Sequence, residues 1–278
     1  MKIQSATVTL PSGVALDYVD HGDRSGPVLV LLHGYTDSWR SFGPLLAALP
    51  KDLRAVALSL RGHGDSGKPR SRYDVATLAA DVASLLDSLQ VEDAIVAGHS
   101  MGSLVAQRFA IDHPTRTRGL ILLGAFKALK GNPGATALWD DAVATLGDPV
   151  PSSFVRDFQQ STLARAVPPD FFEMVVKESL KVPAHVWQSA LRSLLDTDFG
   201  RETAKITAPT LIVWGDQDVF CSREEQQALK TAIAGAELIT HQGAGHALHW
   251  EEPLAIAADI TTFVRSCAPA SARTIRIA

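Results

Sequence analysis

Residues 94–112, AIVAGHSMGSLVAQRFAID, join an apolar run, a serine between two glycines and an amphipathic segment. The run at 94–97 has the length of a buried strand, and residues 102–112 have helical periodicity. Between them lies Gly98-His99-Ser100-Met101-Gly102, a G-x-S-x-G motif that places a serine on a strained strand-to-helix turn. Glycine is needed on both sides because a Cβ there would collide with neighbouring backbone. The pattern predicts an exposed Ser100 Oγ at a helix N-terminus.

The segments around this motif predict an α/β fold. Short apolar runs without alternation recur at residues 28–32, 55–58, 94–97, 120–123 and 211–213. Such runs are typical of strands covered on both faces, as in a parallel sheet between helices. Helical periodicity occurs at residues 74–89, 102–112, 223–234 and 253–266. Strands and helices therefore alternate, and residues 5–10 and 14–19 add a strand pair before them.

Residues 126–207 interrupt this alternation. They contain many prolines, short helical pieces and large apolar side chains, without an obvious strand. Because the segment lies between two strand candidates, we expect a helical cap, or lid, over a core built from residues 1–125 and 208–278. Residues 268–278 are expected to form a loose tail.

The composition excludes several classes of protein. Of the 278 residues 46% are hydrophobic and 20% charged, which is typical of a folded globular chain. The 26 basic and 30 acidic side chains leave a net charge of −4, which does not favour nucleic acid or an anionic membrane as a partner. No apolar stretch is long enough to span a membrane. Two cysteines, Cys221 and Cys267, make no disulfide framework; they favour a reducing cytoplasm, although two cysteines alone are also compatible with export.

A serine hydroxyl needs a base to act as a nucleophile, and the base needs an orienting acid. His246 is the candidate base among nine histidines, because it lies on a glycine-bracketed loop after the run at 237–239. Asp218 is the candidate acid, since it follows the run at 211–213 and the carboxyl ends of strands collect functional groups. Asp216 is nearer the strand end and is assigned to the turn. The chain order of nucleophile, acid and base is that of one particular α/β fold.

The developing oxyanion needs two converging backbone N–H groups. Met101 supplies one, after the nucleophile, and Tyr35 the other, on the loop after the run at 28–32. Spacing of His241, His246 and His249 could suggest a metal, but no cysteine pair or HExxH motif accompanies them, so no metal is expected. Aromatic candidates for the substrate pocket are Trp39, Phe126, Phe154, Phe158, Trp187 and Phe220. The cap aromatics among them could equally serve only to attach the cap to the sheet.

Taken together, five segments resemble the α/β-hydrolase superfamily. They are LLHGYTDSW (31–39), SLRGHGDSGKP (59–69), GHSMGS (98–103), LIVWGDQD (211–218) and GAGH (243–246). The resemblance implies an eight-stranded, mostly parallel sheet, a serine triad above it and no cofactor. Ser103 departs from the pattern, since relatives often have a third glycine there. Within the superfamily the chain looks like the capped esterases, lactonases, C–C hydrolases and cofactor-free haloperoxidases.

These features predict a serine hydrolase that cleaves esters or lactones of apolar small molecules through an acyl-enzyme intermediate, as a monomer or homodimer. The same triad could serve C–C bond hydrolysis or haloperoxidase and perhydrolase chemistry instead. Outside the enzymes, the alternative is a ligand-binding member of the fold without activity. The presence of all three candidates, Ser100, Asp218 and His246, argues against that alternative.

Overall fold

A computed structural model describes residues 4–267 of the chain and places eight strands in one sheet. The expected tail at 268–278 lies outside the described residues. The strands are β1 (Ala6–Thr9), β2 (Ala15–His21), β3 (Val28–Leu32), β4 (Arg54–Leu58), β5 (Ala94–His99), β6 (Thr117–Leu123), β7 (Thr210–Gly215) and β8 (Glu237–His241).

The sheet has the strand order β1-β2-β4-β3-β5-β6-β7-β8. β2 pairs antiparallel with β1 and β4, and all other neighbours are parallel. The expected eight-stranded, mostly parallel α/β fold is therefore confirmed. Successive residues of β3 explain why the central runs do not alternate. Leu29 and Leu31 pack into one apolar cluster, whereas Val30 and Leu32 pack into a second, so both faces are covered.

Ten α-helices flank or follow the strands in the described part of the chain. They are α1 (Gly43–Ala48), α2 (Val75–Ser88), α3 (Met101–Asp112), α4 (Pro133–Asp141), α5 (Ser152–Ser161), α6 (Pro169–Ser179), α7 (Ala184–Asp196), α8 (Arg223–Ala232), α9 (Leu248–Glu251) and α10 (Pro253–Ser266). Helices α2, α3, α8 and α10 occupy the positions that periodicity predicts. Periodicity does not reveal α1 and α9, because six and four residues are too few for a repeat. None of the helices within residues 4–267 has the length and apolar character needed to cross a bilayer.

The chain between β6 and β7 carries α4, α5, α6 and α7. Trp187 of α7 is fully buried in the larger apolar cluster, which also contains sheet residues such as Leu32. The Tyr35 hydroxyl, on the loop after β3, donates a hydrogen bond to the Trp187 carbonyl at 2.6 Å. These contacts attach the helices to the loops at the carboxyl end of the sheet. The division into a core and a cap at 126–207 stays a prediction.

Candidate active site

Ser100 lies on the turn between β5 and α3, and its backbone is strained. Its φ of 52° and ψ of −117° are outside the regions that ordinary side chains favour. A Cβ on Gly98 would lie 2.1 Å from the Gly102 carbonyl oxygen, and one on Gly102 would lie 2.2 Å from that of Leu32. The two glycines therefore permit a close approach of β5, α3 and β3. Ser103 Oγ donates to the Ser100 carbonyl at 2.6 Å. The serine that replaces the glycine of the family pattern therefore stabilises the turn locally.

Substitution of Gly102 by alanine tests this packing. We expect Gly102→Ala to lower the free energy of unfolding by about 3 kcal/mol or more, since the new Cβ meets backbone that cannot rotate away. Gly147→Ala is the matched control, because a Cβ at Gly147 has no atom within 4 Å. Urea unfolding measures both variants. Equal stability of the two would contradict the close-approach argument.

His246 and Asp218 form a buried hydrogen-bonded pair at the carboxyl ends of β8 and β7. His246 Nδ1 lies 2.8 Å from Asp218 Oδ2. Asp218 Oδ1 accepts hydrogen bonds from the backbone N–H groups of Phe220 and Cys221, at 2.8 and 3.0 Å. Because an ionised carboxylate can only accept, the proton of the neutral ring is assigned to Nδ1. The lone pair is then on Nε2, as a general base for Ser100 requires.

The charge of Asp218 is stabilised despite its burial. Burial alone would raise the pKa of this carboxyl, but the attraction of His246 and the hydrogen bonds to the carboxylate outweigh it. The net effect holds the pKa of Asp218 below its usual value. The group is therefore ionised at neutral pH and suited to hold an imidazole and stabilise its protonated form.

Ser100 and His246 line the same cavity. Within residues 4–267, no hydrogen bond joins Ser100 Oγ to His246, so the structure brings the acid and base together and leaves the nucleophile beside them. Contacts of this kind commonly tighten only in the complex with substrate. The triad of Ser100, Asp218 and His246 stays a prediction that this arrangement favours.

Tyr35 and Met101, the predicted oxyanion donors, also line the cavity. Met101 is the first residue of α3, where backbone N–H groups have no acceptor within the helix. Tyr35 precedes Thr36, whose φ of 63° is unusual for a β-branched residue. Ser179 Oγ of α6 donates to Thr36 Oγ1 at 2.9 Å, so a helix from the inserted segment contacts the strained loop.

The cavity beside Ser100 encloses about 60 Å³ and has a mainly apolar wall. That volume is on the order of four times what one water needs. Of the six aromatic candidates, Phe126, Phe158 and Phe220 line it.

The other three aromatic candidates, Trp39, Phe154 and Trp187, lie elsewhere. Trp39 Nε1 donates to Asp17 Oδ2 in β2 at 2.7 Å, which directs the indole into the core. Trp187 is fully buried behind Tyr35, with ring centroids 5.1 Å apart, and Phe154 packs on Trp187 at 5.3 Å. Neither Phe154 nor Trp187 lines the cavity, which favours the attachment role that the sequence left open.

Two polar residues of the cavity wall, Asp37 and Gln159, are missed by the sequence analysis. Asp37 follows the Tyr35 loop and Gln159 lies on α5; they are 3% and 1% exposed. Gln159 Nε2 donates to Asp37 Oδ1 at 3.2 Å. Burial raises the pKa of Asp37 to about 7, although the Gln159 hydrogen bond, the charge of His246 and the Gly34 N–H lower it. The one signal in the sequence that could have revealed Asp37 is the presence of an acidic residue in the HGYTD segment, residues 33–37.

The raised pKa of Asp37 makes stability depend on pH. Below its unfolded pKa of 3.8 the carboxyl is neutral in both the folded and the unfolded chain. Between pH 3.8 and about 7 it ionises more readily in the unfolded chain, so the free energy of unfolding falls as pH rises through this range. Three pKa units correspond to about 4 kcal/mol. We expect Asp37→Asn to raise the free energy of unfolding by up to that amount at pH 8, and by little at pH 4. Urea unfolding at pH 4, 6 and 8 checks this, with exposed Asp157→Asn as control; a gain independent of pH would contradict it.

The remaining histidines near Ser100 are buried and structural. His99 Nε2 lies 3.0 Å from the His246 carbonyl oxygen, so this ring is directed away from the Ser100 hydroxyl, and burial lowers its pKa to about 3. Burial also lowers the pKa of His249 well below its usual value. Neither is suited to exchange protons near neutral pH.

One group of potential metal ligands occurs among the described residues, namely Asp218, Cys221 and His246. Metal binding by cysteine requires the thiolate. Burial raises the pKa of the Cys221 thiol well above its usual value, and its Sγ lies 3.3 Å from the Gly124 carbonyl oxygen, as a donor would. The group is therefore better explained as the His246–Asp218 pair packed against a neutral thiol.

The fold and this arrangement define an α/β hydrolase. A model of the alpha/beta hydrolase family matches residues 29–259, and the chain belongs to that family. It is 30% identical over 248 residues to the AB hydrolase superfamily protein YisY of Bacillus subtilis, covering 87% of this chain and 92% of the relative. The predicted superfamily is thus confirmed.

Two further proteins are similar to this chain. The non-heme chloroperoxidase of Streptomyces lividans is 28% identical over 279 residues, 94% of this chain and 99% of the relative. The solved esterase from Exiguobacterium antarcticum superposes with a TM-score of 0.85 over 94% of this chain and all of that chain. At 24% identity, this structural likeness supports the fold alone.

Proposed function

We propose that this α/β hydrolase cleaves carboxylic esters or lactones with Ser100 as nucleophile. The observation that carries the proposal is the shared cavity of Ser100 and His246, with His246 hydrogen-bonded to buried Asp218 on its other side. A nucleophile, a base and an orienting acid at one site are the requirements for acyl transfer.

Acylation begins when Ser100 Oγ attacks the substrate carbonyl carbon and His246 Nε2 accepts the hydroxyl proton. Asp218 stabilises the imidazolium, and the Tyr35 and Met101 N–H groups stabilise the oxyanion. His246 then gives its proton to the leaving alcohol oxygen, and the ester C–O bond breaks. In deacylation His246 takes a proton from water, the hydroxide oxygen bonds to the acyl carbon, and the acid leaves as Ser100 regains its proton.

The size and polarity of the cavity favour short, apolar acyl groups. We expect kcat/KM on p-nitrophenyl esters to be highest for acyl chains of about two to six carbons and to fall for dodecanoate, because the cavity is small. A panel of these esters and of five- to seven-membered lactones, followed by product release, tests this. Absence of turnover on every ester and lactone would overturn the proposed function.

A second candidate function is perhydrolysis, which the similarity to the Streptomyces lividans chloroperoxidase favours. Hydrogen peroxide would replace water in deacylation, so that its oxygen bonds to the acyl carbon and a peracid leaves. The peracid could then oxidise a halide. Bromination of monochlorodimedone in acetate, bromide and hydrogen peroxide separates this activity from ester hydrolysis.

The proposed setting is the cytoplasm, with a small-molecule substrate and without a nucleic-acid or membrane partner. The free thiols of Cys221 and Cys267 are compatible with a reducing compartment.

A further inference from the structure

Asp37 and Gln159 form a buried polar pair in the wall of the catalytic cavity. Gln159 Nε2 is 3.2 Å from Asp37 Oδ1, 3.2 Å from Ser179 Oγ and 3.4 Å from Thr36 Oγ1. Three oxygen acceptors around Nε2 fix the orientation of the amide. Gln159 Oε1 is then left without a protein donor among residues 4–267.

Among residues 4–267 the Asp37 carboxyl has no salt-bridge partner, and the cation that lowers its pKa is protonated His246. No lysine or arginine of the described chain forms an ion pair with it, and the cavity wall also contains the apolar Leu104, Leu191 and Leu194. Buried carboxylates are normally paired because an isolated buried charge is costly. The pair therefore offers a negative charge and an amide oxygen to a ligand that enters the cavity. A buried, unpaired carboxylate lowers stability, so its presence in a cavity wall indicates a role in binding.

We propose that Asp37 and Gln159 form a subsite for an ammonium group of the substrate. The inference rests on the proposed function and narrows it to esters or lactones that carry a primary amine. An ammonium has three N–H donors and a full positive charge, so it can satisfy Gln159 Oε1 and neutralise Asp37. A hydroxyl would supply a donor but leave the charge unpaired. The apolar remainder of the wall would cover the methylene chain between the amine and the carbonyl.

A binding experiment tests the subsite without relying on catalysis. Titration calorimetry at pH 8, where Asp37 is mainly ionised, compares n-butylammonium with n-butanol. We expect the ammonium to bind at least tenfold more tightly than the alcohol, and Asp37→Asn to abolish that preference. Asp157→Asn removes an exposed carboxyl from the same helix as Gln159 and should retain it. No preference in the natural chain, or a preference that survives Asp37→Asn, would overturn the subsite.

A kinetic experiment separates failure of the subsite from failure of the proposed function. Ethyl 3-aminopropanoate, 4-aminobutanoate and 6-aminohexanoate are compared with ethyl butanoate, pentanoate and heptanoate, in which a methyl replaces each ammonium. We expect kcat/KM for at least one amino ester to exceed that of its partner about tenfold. Gln159→Leu should reduce this ratio, whereas Gln160→Leu, at the exposed neighbouring position, should not. Hydrolysis of the neutral esters without any amine preference would refute the subsite alone, and no hydrolysis of either series would refute the function.

Discussion

Replacing Ser100 by alanine is expected to lower kcat on a short p-nitrophenyl ester by about a million-fold, the loss found when a hydrolase nucleophile is removed. In the proposed mechanism Ser100 Oγ bonds to the acyl carbon, and no other hydroxyl occupies the strained turn between β5 and α3. The proposed oxyanion donors and the cavity remain, so a residual rate above that in water is expected. Initial rates at high enzyme concentration, corrected for spontaneous hydrolysis, give the measurement.

Ser153→Ala is the control for this substitution, because Ser153 is exposed on α5. It should keep the natural rate. If Ser100→Ala retained a tenth of the natural kcat, the serine would not be the nucleophile. Unchanged near-ultraviolet circular dichroism in both variants excludes misfolding as the cause of a loss.

Asp218→Asn is expected to lower kcat by about ten thousand-fold. The amide can present an N–H to His246 Nδ1, which favours the tautomer with its proton on Nε2. That tautomer has no lone pair for the Ser100 proton, so the base is lost although the packing is preserved. The hydrogen bond at stake is the 2.8 Å contact between His246 Nδ1 and Asp218 Oδ2.

Asp216→Asn is the matched control for the acid. Asp216 lies two residues before Asp218 and accepts a hydrogen bond from the Gly243 N–H at 2.6 Å. It therefore orients the loop that carries His246 without contacting the imidazole. We expect a loss of less than tenfold. A larger loss for Asp216→Asn than for Asp218→Asn would reverse the two assignments.

The sheet can be predicted from the sequence because its central strands are covered on both faces. β5 and β6 consist mainly of buried apolar residues, which leaves an uninterrupted run in the chain. The turn at Ser100 is also predictable, since the demand for glycine at Gly98 and Gly102 is local and steric. Short helices such as α1 carry no comparable signal.

The composition of the cavity wall could not be predicted in the same way. Asp37 and Gln159 are separated by 122 positions, and their contact depends on how α5 is placed over the sheet. The placement of aromatic side chains is equally hard to predict from the sequence. Phe158 and Trp187 are equally apolar in sequence, but one lines the cavity and the other is buried behind Tyr35. Periodicity shows which face of a helix is apolar without showing what that face contacts.

Reaction with a fluorophosphonate, followed by mass spectrometry of the digested protein, examines most directly whether Ser100, His246 and Asp218 act together. We expect one adduct, on the peptide containing Ser100, and strongly reduced labelling in His246→Ala. A protein that stays unlabelled, or that carries the adduct on another residue, would contradict a serine nucleophile at this turn.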